Sequence, residues 1–152
     1  MSERPSFDGI HHLKFPVADC DRSLKFYEDV FGARRIAQAD HRDADGVIYA
    51  YICEVPGLGT SLDLRLSKFH AEGSVRLDPI TLNIESRAAL AEWVAHLDRL
   101  GVPHSGEIPT AFAYMLVIED PDGRFIRLYT KEKKAADVPS SHKTNPWMQL
   151  TV

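Results

Sequence analysis

Residues 9–32 read GIHHLKFPVADCDRSLKFYEDVFG, and the change of period within this stretch decides the fold. From Ile10 to Val17 apolar side chains alternate with others, Leu13, Phe15 and Val17 against His12, Lys14 and Pro16. That is the period of a half-buried strand. Asp19 then offers a helix N-cap, Leu24, Tyr27 and Phe31 recur at helical spacing, and Gly32 stops the run. The pattern predicts a helix over 20–31 with one core-facing stripe.

Working outward, three strand-like runs follow: about 33–40, then GVIYAYICEV after the Asp45-Gly46 turn, then TSLDLRLS after the Pro56–Gly59 loop. The pattern then recurs. DPITLNI (78–84) reads as a strand, Ser86 can cap a helix striped by Leu90, Trp93, Leu97 and Leu100, and Gly101 ends it. Strands near 104–109, 111–118 and 124–130 complete the second half, the last two joined by the DPDG turn at 120–123. The chain therefore reads as α+β, two βαβββ modules at about 9–67 and 76–130. They are expected to form a curved mixed sheet with one helix packed on each half, in a single domain over 1–132. Residues 133–152 are polar and punctuated by proline until WMQLTV, and read as a C-terminal tail. Either this tail is a disordered end, or Trp147, Met148 and Leu150 dock on this subunit or a neighbour, since so apolar a hexapeptide would otherwise lie exposed.

Composition narrows the partners. With 152 residues, 44% of them apolar, the chain can build a core of its own. A net charge of −4 with both signs interleaved offers no broad positive field for nucleic acid or an anionic membrane. No apolar run approaches the roughly 18 to 20 residues that span a bilayer, and MSERPSFDG lacks the apolar segment of a signal peptide. These features lead us to expect a cytoplasmic protein whose partners are small molecules or a second copy of itself. Cys20 and Cys53 form no Cys-x-x-Cys pair and read as free thiols.

The stretch from His12 to Gly32 resembles the first strand and helix of the vicinal oxygen chelate superfamily, and DPDGRFIRLY (120–129) resembles its final hairpin. That superfamily includes glyoxalase I, extradiol dioxygenases, fosfomycin-resistance enzymes and bleomycin-binding proteins. The resemblance covers about residues 9–130 and implies the repeated βαβββ fold, commonly as a homodimer. In metal-using members it implies a ring of inward ligands, which falls here on His12, Asp63, Pro79 and Arg127. Proline has no side-chain donor atom, and a guanidinium has five donors and no lone pair to give. Arg127 moreover sets a full positive charge where a cation would sit, and two unit charges 4 Å apart repel by roughly 4 kcal/mol at an effective dielectric of 20. The expectation is therefore no metal cofactor, with an Asp63–Arg127 ion pair across the cavity in its place. The alternative is a divalent metal held by His12 and Asp63, with Glu54, His70, His104 or Glu107 completing the set.

Strand alternation also names an inner wall. If Leu13, Phe15, Leu62, Leu64, Ile126 and Leu128 face the helices, then His12, Lys14, Asp63, Arg65, Thr81, Asn83, Arg127 and Tyr129 face the other way. Tyr49, Tyr51, Phe112 and Tyr114 are expected to join them. Such a wall suits a flat organic ligand carrying an acidic group, its ring stacked on aromatics and its anion taken by Arg or Lys. Three functions remain open: a metal-free binder of a small aromatic or anionic compound, a metal-dependent or metal-free lyase, isomerase or dioxygenase, and an accessory dimer without a ligand. In the enzyme reading His12 and Arg127 are the catalytic candidates, the first moving a proton and the second stabilising an enolate-like anion.

Overall fold

The alternation read from residue 12 onward becomes strand β1 (His12–Val17) in the computed structural model, which describes residues 4–148. Helix α1 (Cys20–Phe31) follows at once, because the Asp19 carboxylate accepts the Arg22 backbone N–H at 3.0 Å and satisfies one of the orphan donors of the first turn. Gly32 closes it in the left-handed conformation, φ 68°. Then come β2 (Arg34–Arg35), β3 (His41–Arg42), β4 (Ile48–Glu54) and β5 (Ser61–Leu66). A short helix α2 (Lys68–Glu72) leads to the second module, β6 (Ile80–Ile84), α3 (Arg87–Leu100), β7 (Ile108–Pro109), β8 (Tyr114–Glu119) and β9 (Phe125–Thr130). Ser86 caps α3 through the Ala89 N–H at 3.1 Å, and Gly101 ends it at φ 65°. No helix among the described residues is long and apolar enough to cross a membrane.

The α+β class and the two βαβββ modules are as the sequence implies, with each module carrying its own mixed sheet. The first runs β1-β5-β4-β2, with β3 also on β4, and the second runs β6-β9-β8-β7. In each sheet the first strand lies parallel to the last and forms an edge. Three local features differ from the sequence reading. The run 33–40 breaks into β2 and a 3₁₀ turn at Ala37–Ala39, where Asp40 draws back the Arg35 guanidinium. Residues 111–113 form a turn rather than a strand start, because the Thr110 hydroxyl accepts the Phe112 and Ala113 N–H groups. Helix α2 carried no periodic apolar signal.

The helix-facing sides of both sheets share one core. Phe15, Val17, Leu62 and Leu64 of the first module meet Leu116, Ile118, Ile126 and Leu128 of the second, with Tyr27 and Val30 of α1 and Leu90 and Leu97 of α3 between them. The DPDG turn fastens the modules together. Asp122 accepts the Ala18 N–H at 3.2 Å and the Arg22 guanidinium at 3.0 Å at the start of α1. Asp120 accepts the Tyr27 hydroxyl at 2.9 Å and pairs at 2.7 Å with Arg124, which is fully buried, bonds the Pro16 carbonyl and lies over the Phe15 ring. Burial raises the pKa of Asp120 above the usual carboxylate value against the pull of Arg124, and pushes the Tyr27 phenol well above 10.

The C-terminal segment returns over the far side of the second sheet. Ser141 N–H reaches the Pro109 carbonyl at 2.9 Å, and Trp147 and Met148 pack on Ile108, Met115, Val117 and Phe125. Of the two fates open for the tail, docking on this subunit describes it as far as Met148; Leu150 lies outside the described residues.

Candidate functional site

Register places the four positions of interest. Lys14 lies opposite Asp63 in the β1–β5 pair, and Thr81 lies opposite Arg127 in the β6–β9 pair. Lys14 and Thr81 each precede the cap of their module's helix, Asp19 and Ser86, by the same interval, so Asp63 and Arg127 are equivalent positions. By the same interval His12 is equivalent to Pro79. The sheet face turned away from the helices therefore carries His12, Lys14, Asp63 and Arg65 in the first module, and Thr81, Asn83, Arg127 and Tyr129 in the second.

On the first sheet Asp63 is only 2% exposed, and its Oδ2 has no hydrogen-bond partner among the described residues. The nearest cationic candidate is His12 Nε2 at 3.6 Å, beyond hydrogen-bond range, while the other imidazole nitrogen of His12 meets His11 at 2.8 Å. A buried carboxylate oxygen without a donor is costly, and it marks a place where a bound group can supply one. On the second sheet Arg127 pairs with Asp78 at 2.7 Å, leaving its buried Nε without a hydrogen-bond partner among the described residues. Arg127 thus finds its counter-ion within its own module, and the expected Asp63–Arg127 pair does not form. The pairing with Asp78 was hidden because DP at 78–79 reads first as a turn signal.

The aromatic part of the expected wall divides. Tyr51 pairs in register with the core residue Leu64 and reaches Asp21 of α1 at 2.7 Å, so it faces the helices. Tyr114 is buried against the core with the Arg87 guanidinium 4.5 Å from its ring, also on the helix side. Phe112 is in the 111–113 turn, 71% exposed, and belongs to neither face. These are corrections: β4 and β8 run in the phase that puts Tyr51 and Tyr114 over the helices, alternation puts Tyr49 on the same side as Tyr51, and the Thr110 turn takes Phe112 off the strand. Tyr49 meets Arg65, whose guanidinium lies 5.0 Å from the ring, and Tyr129 shares a hydrogen bond of 2.9 Å with Thr110 on the outer face. At the edge of β6, Thr81 and Asn83 also border a cleft of about 320 Å³ otherwise lined by helix-side residues, among them Phe31, Trp93 and Leu128, so this cleft is separate from the outer wall.

The residues present do not fit a catalytic metal. Such a site takes about three protein ligands, and no group of three or more His, Cys, Asp or Glu is gathered among the described residues. His12 and Asp63 supply two donors, and the equivalent positions, Pro79 and Arg127, supply none. The side chains that the sequence offers to complete the set are engaged elsewhere: Glu54 with Arg34, His70 with Ser67, His104 with Asp98, and Glu107 with Arg87.

Comparison with known proteins adds a lineage to this geometry. Residues 9–128 match the family model described as the Glyoxalase/Bleomycin resistance protein/Dioxygenase superfamily. A Bacillus subtilis (strain 168) protein assigned as the ring-cleaving dioxygenase MhqA is 29% identical over 131 residues, which cover 83% of this chain and 41% of that protein. The chain thus spans about two fifths of that relative. Among solved structures, TnmS3, an antibiotic binding protein from Streptomyces sp. CB03234, superposes with a TM-score of 0.66 at 24% identity over 85% of this chain and 100% of its own. The fosfomycin resistance protein FosX from Listeria monocytogenes, solved with Mn(II) and 1S,2S-dihydroxypropylphosphonic acid, gives 0.63 at 17% identity over 84% and 95% of the two chains.

Proposed function

The chain belongs to the Glyoxalase/Bleomycin resistance protein/Dioxygenase superfamily, and from that premise we propose that it binds a small aromatic or anionic compound without a metal. The observation that carries this reading is Arg127, registered at the position equivalent to Asp63 and held by Asp78. A guanidinium recognises carboxylate, phenolate or phosphonate and repels a divalent ion. The donorless Asp63 Oδ2 and the partnerless Arg127 Nε are polar groups that a ligand's hydroxyl and acid can satisfy. Support in kind comes from TnmS3, whose described role is antibiotic binding and whose fold this chain shares.

A homodimer belongs to the same proposal. Strands β1 and β6 form sheet edges among the described residues, rows of backbone donors and acceptors that a second copy can pair. Light scattering should return twice the chain mass; a monomer at micromolar concentration removes the dimer from the reading.

A metal-free lyase or isomerase is the second reading, favoured by the His12–Asp63 pair. A carboxylate beside an imidazole can orient it for proton transfer. Thermal denaturation with a panel of aromatic acids, and separately with Mn, Fe, Co, Ni and Zn ions, tests both. Ligand at a hundred times its Kd stabilises a folded protein by about 2.7 kcal/mol, so one or more acids should raise the melting temperature by several degrees and the ions should not. A stoichiometric transition metal lost on His12→Ala would overturn the proposal. Turnover of a stabilising acid that vanishes in His12→Ala, with binding retained, would establish the second reading.

A further inference from the structure

On its outer face the second sheet carries, beside Arg127 and Tyr129, an apolar patch where an open face is ordinarily polar. Met115, Val117 and Phe125, with Ile108 beside them, are each no more than 4% exposed, and the described residues that cover them include Trp147 and Met148. The Trp147 indole lies on Phe125 with ring centroids 5.2 Å apart and planes tilted by 38°, a geometry that two aromatic rings favour. This ring arrives at the end of a polar segment tied down, among the described residues, by the Ser141 N–H to the Pro109 carbonyl and by the Arg76 guanidinium to the Pro146 carbonyl at 2.6 Å. Arg76 holds its guanidinium there from a left-handed backbone, φ 63°, unusual for a side chain with a Cβ, and the same group lies 5.1 Å from the Phe125 ring. Arg127 and Tyr129 follow Phe125 at alternate positions on the same strand face.

We infer that the Phe125 face is a seat for an aromatic ring, and that Trp147 occupies it as a competitor built into the chain. The inference rests on the small-molecule reading above and names where the ligand's ring sits: on Phe125 in place of the indole, its acidic group towards Arg127. The void beside the indole, bounded by Arg76, Glu119, Phe125, Pro146 and Trp147, is about 100 Å³. That is below the roughly 150 Å³ known to admit a benzene ring, so a ligand enters this seat as Trp147 leaves. The segment from Ser141 to Met148 then lifts, which among the described residues breaks the Ser141–Pro109 and Arg76–Pro146 bonds, and the free seat prefers flat aromatic acids over aliphatic ones.

The test uses 8-anilinonaphthalene-1-sulfonate, an aromatic acid whose fluorescence reports binding, and the peptide SHKTNPWMQLTV, residues 141–152 supplied in trans. Full-length Trp147→Ala should bind the dye about tenfold more tightly than wild type, one per chain, and the peptide should displace it. Trp147→Phe keeps a ring and should stay within about threefold of wild type. Should Trp147→Ala fold poorly, Arg76→Gly releases the Pro146 carbonyl while accommodating the positive φ, and should tighten dye binding severalfold. Equal affinity in wild type and both releasing variants, or dye that the peptide does not displace, overturns the seat. Because neither probe is the natural ligand, displacement of the dye supports the seat even where the aromatic-acid panel fails and the functional reading falls.

Discussion

Cys53 shows how a single side chain carries the physics of the whole first module. It lies on β4 in register with Leu62, fully buried in the shared core, and burial pushes its thiol from 9.0 up to about 11, with Glu28 adding to the rise. The unfolded chain releases this proton near 9 and the folded chain keeps it to about 11, so the folded state binds more protons in that window and stability falls as pH rises through it. Melting temperatures of wild type and Cys53→Ala should therefore converge between pH 9 and 11, the small residue losing packing at every pH but lacking the titration. Parallel curves would contradict the buried thiol. At this scale the sequence is legible in kind and opaque in partnership. That position 127 holds a guanidinium and 79 a proline, and so no ligand set, follows from residue chemistry alone. That Arg127 pairs with Asp78 and leaves Asp63 beside His12 depends on which sheet each strand joins, and no spacing within the chain records that.

Elements were readable where their ends are chemically marked. Both long helices start at an oxygen that accepts an early N–H and stop at a left-handed glycine, so Asp19, Gly32, Ser86 and Gly101 bound them in sequence and structure alike. Short strands carry no such marks: β2, β3 and β7 are two residues each, set by cross-strand pairing rather than by period, and the tyrosines of β4 and β8 fall in the opposite phase from the one expected. The glycine stops make a clean prediction. A Cβ built on Gly101 meets nothing within 4 Å, so Gly101→Ala is penalised by its φ of 65° alone, about 1–2 kcal/mol. On Gly32 the nearest atom is Pro56 Cγ at 3.6 Å, an ordinary contact, so Gly32→Ala should match it. Urea unfolding of the two variants should give midpoints lowered equally. A Gly32 variant several-fold worse would mean that the Pro56 loop, not the backbone, sets the stop.

The molecule as a whole is joined by residues whose sequence context announces only a turn. DPDG predicts the reversal between β8 and β9, but nothing in its spacing foretells that Asp122 meets the start of α1, or that Asp120 and Arg124 bury a charge pair against Tyr27 and the Pro16 carbonyl. The sharing of one core by two repeated modules is a tertiary fact of the same kind. It has a thermodynamic consequence: neither module's sheet keeps its buried face without the other, so the chain should unfold in one transition, with equal calorimetric and van't Hoff enthalpies. Arg124→Met probes that coupling, since it leaves the Asp120 carboxylate buried and uncompensated. Breaking a buried pair in this way costs about 3–5 kcal/mol, and at 2–4 °C per kcal/mol for a chain of this size the melting temperature should drop by at least about 6 °C. The transition should stay single while it moves, because the lost interaction belongs to both modules at once. A split into two transitions would mean that each module folds by itself and that the turn merely rests on its neighbour.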